Sequence, residues 1–289
     1  MTCGSGRFNR RRDVLVGLVA SLVAVCGGPA FPQTPPALVQ SMKQAGTAKV
    51  AIAATPPYAY LAASGEPQGY LIEVSNEILK SLGVPKLQAL MTTWDAMIPG
   101  LQAKQYDFLP GGMNVTAARC QVVAFTVPVT AQQDALYVKP GNPKKLEGYA
   151  SVAQTPGVQV AVLAGSSQEN FALKRQISPG QLVRVPDIQA GIAAVTGGRA
   201  DAFIVGQFSV TEPGKKGVEV VVDKTSAPVG IALAFRKEDA ATRDAFDARI
   251  NAMKADGTLR KLYADKYGFS TWDLLAKTNK ASDIAPECN

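Results

Sequence analysis

Apolar residues along this chain gather in short continuous runs that alternate with stretches of helical period, a pattern of α/β layers rather than of an all-α or all-β fold. Lys49 to Ala54 predicts a first strand, broken by Pro56-Pro57. Over Ile72 to Leu82, the residues Val74, Ile78, Leu79 and Leu82 fall on one helical face, and Gly83 is placed to end the helix. A strand at Leu87 to Met91, a helix through Trp94 to Ala103, a strand at Asp107 to Pro110 and a helix opened by Thr116 complete a first series.

The turn-forming Pro140-Gly141-Asn142-Pro143 separates this series from a second. The second has strands at Val158 to Leu163, Leu182 to Val185, Ala202 to Val205 and Val218 to Val222, with helices starting near Ser167 and Asp187. A last apolar run, Ile231 to Phe235, precedes helices at Ala240 to Ala255 and Leu259 to Lys266. Two α/β units with helices returning at the end suggest two lobes, with Ala135 to Lys139 and Pro228 to Phe235 as candidate crossings; periodicity alone also allows one continuous doubly wound sheet.

Composition supports this picture, since 47% hydrophobic and 18% charged residues suffice for ordinary globular cores. The first 33 residues read differently. Arg10-Arg11-Arg12, an apolar stretch from Val14 to Val25 and the small residues Gly27, Gly28 and Ala30 predict an export signal of the twin-arginine type, too short to span a bilayer. Lipid attachment at Cys26 is the alternative. Without residues 1–33 the net charge falls from +7 to that of 26 basic against 22 acidic side chains. The remaining cations are scattered, which argues against a nucleic-acid partner.

Processing also leaves two cysteines, Cys120 and Cys288, either bridged in a compartment that permits disulfides or present as buried thiols. The chain has no histidine, which removes Ser-His-Asp and Cys-His catalysis together with the commonest metal ligand. No cysteine or carboxylate cluster has metal-site spacing, and no cofactor motif is present.

Two segments carry ligand-binding chemistry. In Thr116-Ala117-Ala118-Arg119, Thr116 can cap a helix and Arg119 presents a planar fork for a carboxylate; the plainer reading is a capped surface helix with a solvated arginine. Gly165-Ser166-Ser167-Gln168-Glu169 has capping-box spacing between a strand and a helix, so its free N–H groups form a second anion cradle or an ordinary turn. Tyr58, Tyr60, Tyr70 and Trp94 lie near these loops, where their rings either face a cation or simply fill the core.

These residues sit in an order that resembles the polar amino-acid family of periplasmic solute-binding proteins of ABC importers. The matching segments include Lys49-Val50-Ala51-Ile52-Ala53 with Pro57-Tyr58, Gly69-Tyr70, Ile98-Pro99-Gly100-Leu101, Gly112 to Arg119, Phe125-Thr126-Val127-Pro128, Gly198-Arg199-Ala200-Asp201-Ala202 and Lys254 to Thr258. The phrases Ala96 to Leu101, Arg119-Cys120 and Val185-Pro186-Asp187 look closest to ectoine and hydroxyectoine binders.

The resemblance implies a two-lobed, hinged α/β fold, with residues 34–134 plus 232–289 in one lobe and 135–231 in the other. It further implies a monomeric periplasmic receptor that hands a small zwitterion to an inner-membrane permease and needs no cofactor. The ligand-binding residues it points to are Arg119, Thr116, Asn114, Tyr58, Trp94, Thr55, Ser166, Ser167 and Gly206. Gly206 stands where amino-acid binders carry an aspartate for the α-amino group, Thr55 where an acid is expected and Asn114 where an aromatic is expected. A dehydratase for a prephenate-like acid is the alternative on this scaffold, with Glu73, Glu169 and Asp187 as its possible acids.

Overall fold

The computed structural model describes residues 35–288 as one compact unit. The predicted export signal and Cys26 lie outside the described residues. Among those described, no helix is long and apolar enough to cross a membrane.

The first half contains α1 (Ala37–Ala45), β1 (Ala48–Ile52), the hairpin strands β2 (Tyr60–Leu61) and β3 (Pro67–Gln68), and α2 (Tyr70–Ser81). These lead into β4 (Leu87–Met91), α3 (Met97–Gln102), β5 (Leu109–Asn114), α4 (Ala117–Cys120), β6 (Ala124–Phe125) and β7 (Thr130–Gln132). Next come β8 (Asp134–Val138), α5 (Tyr149–Gln154), β9 (Val160–Leu163), α6 (Ser167–Lys174), β10 (Leu182–Val185), α7 (Ile188–Thr196), β11 (Ala202–Gly206) and β12 (Glu219–Val222). The chain then returns through β13 (Val229–Phe235), α8 (Ala240–Ala255), α9 (Thr258–Arg260) and α10 (Trp272–Leu275).

These strands form two main bodies of sheet. In the first, β13 lies between β5 and the pair β6 and β7, while the parallel pair β1 and β4 joins through a bridge from Val50 to Phe108. The second runs in the order β10, β9, β11, β8, β12. The three inner strands of the second sheet, β9, β11 and β8, feed two cores: Leu136, Val138, Val160, Val162, Ala202 and Ile204 face one, and Ala135, Tyr137, Ala161, Leu163, Phe203 and Val205 the other. Strands buried on both faces read as continuous apolar runs, which is why these segments were legible in the sequence.

In the first sheet, Ile231, Leu233 and Phe235 point to a core covered by α1, α2 and α8, where Phe108, Phe235 and Phe246 stack with centroids 4.9–5.4 Å apart. Ala232 and Ala234 point to the other face, beneath α3, α4 and the tail that ends at Cys288. Burying each of these rings stabilises the fold by about 1.5–3 kcal/mol.

Three details depart from the sequence reading. The candidate crossing at Ala135 to Lys139 is instead β8, wholly inside the second sheet, and Pro228 to Phe235 is β13 of the first; the chain changes sheets between Gln132 and Asp134 and again between Val222 and Val229. The strand expected at Asp107 to Pro110 is β5, which begins at Leu109 and runs on to Asn114; Gly111 and Gly112, at φ 124° and 88°, fall where its register with β13 shifts, between the pairs Ala232–Met113 and Ala234–Leu109. The helix expected from Trp94 begins only at Met97, leaving Trp94 in the preceding turn.

Candidate functional site

Where the two sheets meet, Thr55, Tyr58, Trp94, Asn114, Ser167 and Gly206 line one cavity of about 30 Å³. That space admits a water molecule or two and not an amino-acid-sized solute, so the cleft is drawn shut. Asn114 Nδ2 donates to Ser167 Oγ at 2.8 Å, a hydrogen bond from the first sheet to the start of α6 in the second. Tyr58 is positioned by Gly69: a Cβ there would lie 2.4 Å from the Tyr58 carbonyl oxygen, so only glycine lets α2 start so close.

Arg119 and Thr116 do not line this cavity. They face an adjoining space of about 460 Å³, bounded also by Ser167, by α6 and by the tail at Ile284 to Glu287. Thr116 caps α4, its hydroxyl accepting from Arg119 N at 3.4 Å. The guanidinium donates to Asn114 O at 3.0 Å and, across the cleft, to Gly165 O at 3.4 Å. Burial lowers its pKa to about 10, and no carboxylate partner among the described residues offsets that. Ser167 borders both spaces and joins the two halves of the set.

Ser166 is buried away from both. Its hydroxyl caps α6 by accepting from Glu169 N at 3.1 Å, while the Glu169 carboxylate accepts from Gly165 N at 2.8 Å and pairs with Arg184. Of the expected capping box only the Ser166 cap forms; the Glu169 carboxylate reaches past the N-cap to Gly165 N, while Ser166 N donates to Leu163 O. Glu73 is held by Lys266 and Tyr267, and Asp187 caps α7 by accepting from Ala190 N at 2.7 Å. None of the three carboxylates considered as dehydratase acids lines the central cavity.

Three polar residues of the wall, Gln132, Gln168 and Ser209, were not among the candidates. Gln132 accepts from the Tyr58 hydroxyl at 2.6 Å through Oε1, and Gln168 donates to Asp134 Oδ1 at 2.7 Å. Asp134 also accepts from Tyr149 at 2.7 Å, and burial raises its pKa. A signal was available: Gln132-Gln133-Asp134 places polar residues between two apolar runs, and in this fold Gln132 and Asp134 are nearly fully buried.

A model of the bacterial extracellular solute-binding proteins, family 3, matches residues 48–269. The chain belongs to that family. It is 27% identical over 255 residues to a probable amino-acid ABC transporter periplasmic-binding protein of Sinorhizobium fredii, covering 84% of each chain. It is also 29% identical to the histidine-binding periplasmic protein of Salmonella typhimurium, over 78% of this chain and 89% of the relative. Among solved structures, EhuB in complex with hydroxyectoine superposes with a TM-score of 0.79 at 31% identity, covering 87% of this chain and 97% of that one. An ancestral amino acid-binding protein, a precursor of cyclohexadienyl dehydratase, superposes with a TM-score of 0.71 at 27% identity, over 79% and 98%. The family member described here thus has the two-lobed fold of periplasmic solute-binding proteins.

Proposed function

We propose that this family member is the solute-capturing component of an amino-acid-type ABC importer, and that it clamps a small carboxylate-bearing zwitterion, ectoine-like or a modified amino acid, between its lobes. One observation carries the reading: Arg119 spans the meeting point of the lobes bonded to two backbone carbonyls and, among the described residues, in no ion pair. A desolvated guanidinium with free donor capacity is stabilised by an anion, and a ligand carboxylate supplies one. Ser167 and Asn114, already bonded to each other beside it, are the neutral partners of the same group.

The likeness to a hydroxyectoine complex supports the ectoine-like class, and the amino-acid-binding relatives support the modified amino acid. An unprocessed α-amino acid fits less well, because Gly206 offers no counter-charge. The receptor reading, rather than a dehydratase, rests on a central cavity with no carboxylate in its wall among the described residues. The protein on this reading is exported, acts as a monomer in the periplasm and docks on an inner-membrane permease.

Calorimetry against ectoines, betaines, amino acids and opines tests it. The solute that binds should lose about 3–5 kcal/mol of affinity in Arg119→Ala, the cost of leaving one partner of a buried pair alone. Unchanged affinity in a folded Arg119→Ala protein refutes the assignment.

A further inference from the structure

The place of the missing aspartate is not vacant. A Cβ built on Gly206 would lie 2.1 Å from Nε2, 2.3 Å from Cδ and 2.3 Å from Oε1 of Gln132. The glutamine amide therefore rests on the glycine, and no residue larger than glycine fits beneath it. Gln132 reaches this point from the end of β7, while Gly206 ends β11 opposite Asp134 in the ladder with β8.

The amide has a defined polarity. The buried Tyr58 hydroxyl donates to Oε1 at 2.6 Å. The carbonyl end is thereby occupied, and the Nε2 hydrogens have no acceptor among the described residues. Trp94, in the wall of the same cavity, also carries a buried Nε1–H with no acceptor among the described residues. The carboxylate next in line, Asp134, is held by Gln168 and Tyr149.

An α-ammonium group brings three N–H donors and a full charge. Beside the Gln132 amide it meets a further donor and no anion, and a buried polar group without a partner is costly. A carbonyl oxygen is the partner that this amide lacks. We propose that Gln132 is the specificity-determining residue of the site, and that it selects modified amino acids whose α-nitrogen is acylated over the free amino acids. The acyl carbonyl accepts from the Gln132 amide. This rests on the reading of the cleft as a solute site that holds a carboxylate at Arg119.

The test is calorimetry on the purified protein with pairs of free and N-acetylated alanine, glutamine, histidine and arginine, together with ectoine and hydroxyectoine. The wild type should bind at least one N-acetyl form roughly tenfold or more tighter than its free counterpart and than either ectoine, the discrimination expected when a buried donor gains or lacks its acceptor. Gln132→Glu keeps the length of the side chain and the acceptor for Tyr58 but puts a carboxylate over Gly206, and it should reverse that order. A free amino acid or an ectoine binding tightest to the wild type overturns the role given to Gln132 while leaving the solute-site reading standing, as does a folded Gln132→Glu protein that keeps the wild-type order. Failure of every carboxylate solute to bind overturns both. Should Gln132→Glu not fold, the wild-type ranking decides alone.

Discussion

Cys120 and Cys288 are bonded in this structure, with Cα atoms 5.3 Å apart and a separation of 168 positions in sequence. Opening that bridge, by reduction or by the double substitution Cys120→Ser and Cys288→Ser, frees the unfolded chain from a very long loop. The loop-entropy expression gives about 5 kcal/mol for this separation, and native bridges are worth about 2–5 kcal/mol when removed. The lower part of that range is expected here, because the tail has other holds. Ala281 and Ala285 are buried beside Leu109 and Met113, and a Cβ on Gly230 would touch Ile284 at 2.9 Å. At about 2–4 °C per kcal/mol for a protein of this size, the melting temperature should fall by about 10 °C. Scanning calorimetry on the oxidised and reduced protein measures it, with mass spectrometry to show that each sulfur has gained a hydrogen. A fall of less than about 2 °C in fully reduced protein would mean that the tail's packing, and not the bridge, holds it. Solute affinity is a second readout. Cys120 follows Arg119 directly, and Ile284 to Glu287 bound the space that Arg119 faces, so the reduced protein should bind more weakly.

Other expectations follow from single contacts. Asn114→Ala removes the hydrogen bond to Ser167 that crosses the shut cleft, so small-angle scattering should report a larger radius of gyration for the unliganded variant; an unchanged radius argues against a latch. Gly191→Ala sets a methyl group 2.6–2.7 Å from the Phe203 ring inside the second lobe and should cost about 1–3 kcal/mol by overpacking, read as a lower denaturation midpoint. Asp247 is lifted to about pH 6, chiefly by burial, so the folded state holds its proton more tightly than the unfolded chain. Its contribution is full below the usual carboxylate pKa and is lost as pH rises through 6; the stability advantage of wild type over Asp247→Asn should therefore shrink by about 2–3 kcal/mol between pH 4 and 7, and a constant gap refutes the shift.

The elements easiest to read were those whose apolar residues form one short run or one helical stripe. Leu182 to Val185 and Ala240 to Ala255 were bounded to the residue, because apolar runs and helical stripes report burial directly. The far end of β5 was not read from the sequence, because Gly111 and Gly112 interrupt the apolar run at the point where the register with β13 shifts. For the site, the carboxylate side was legible through Thr116 and Arg119, whose chemistry is local to four residues. Gln132 was not, since its meaning comes from Gly206, 74 positions later, and the two meet only when β7 and β11 are brought together. The same distance hid the partition between Tyr58 on one side and Arg119 on the other, which share Ser167 alone as a common wall among the candidate residues other than by contact with Asn114.

β13 has neighbours on both sides in the first sheet, yet it is made after the whole of the second sheet. A ribosome therefore delivers every strand of the second lobe before the first lobe has its middle, and α8, which covers that lobe's larger core, comes later still. The second lobe can mature as an inserted unit while the first waits for its last 60 or so residues, in line with the tendency of domains to fold as units during synthesis. A chain cut short between β12 and β13 would accordingly carry one finished lobe and one exposed half-sheet, with the cleft left without its floor.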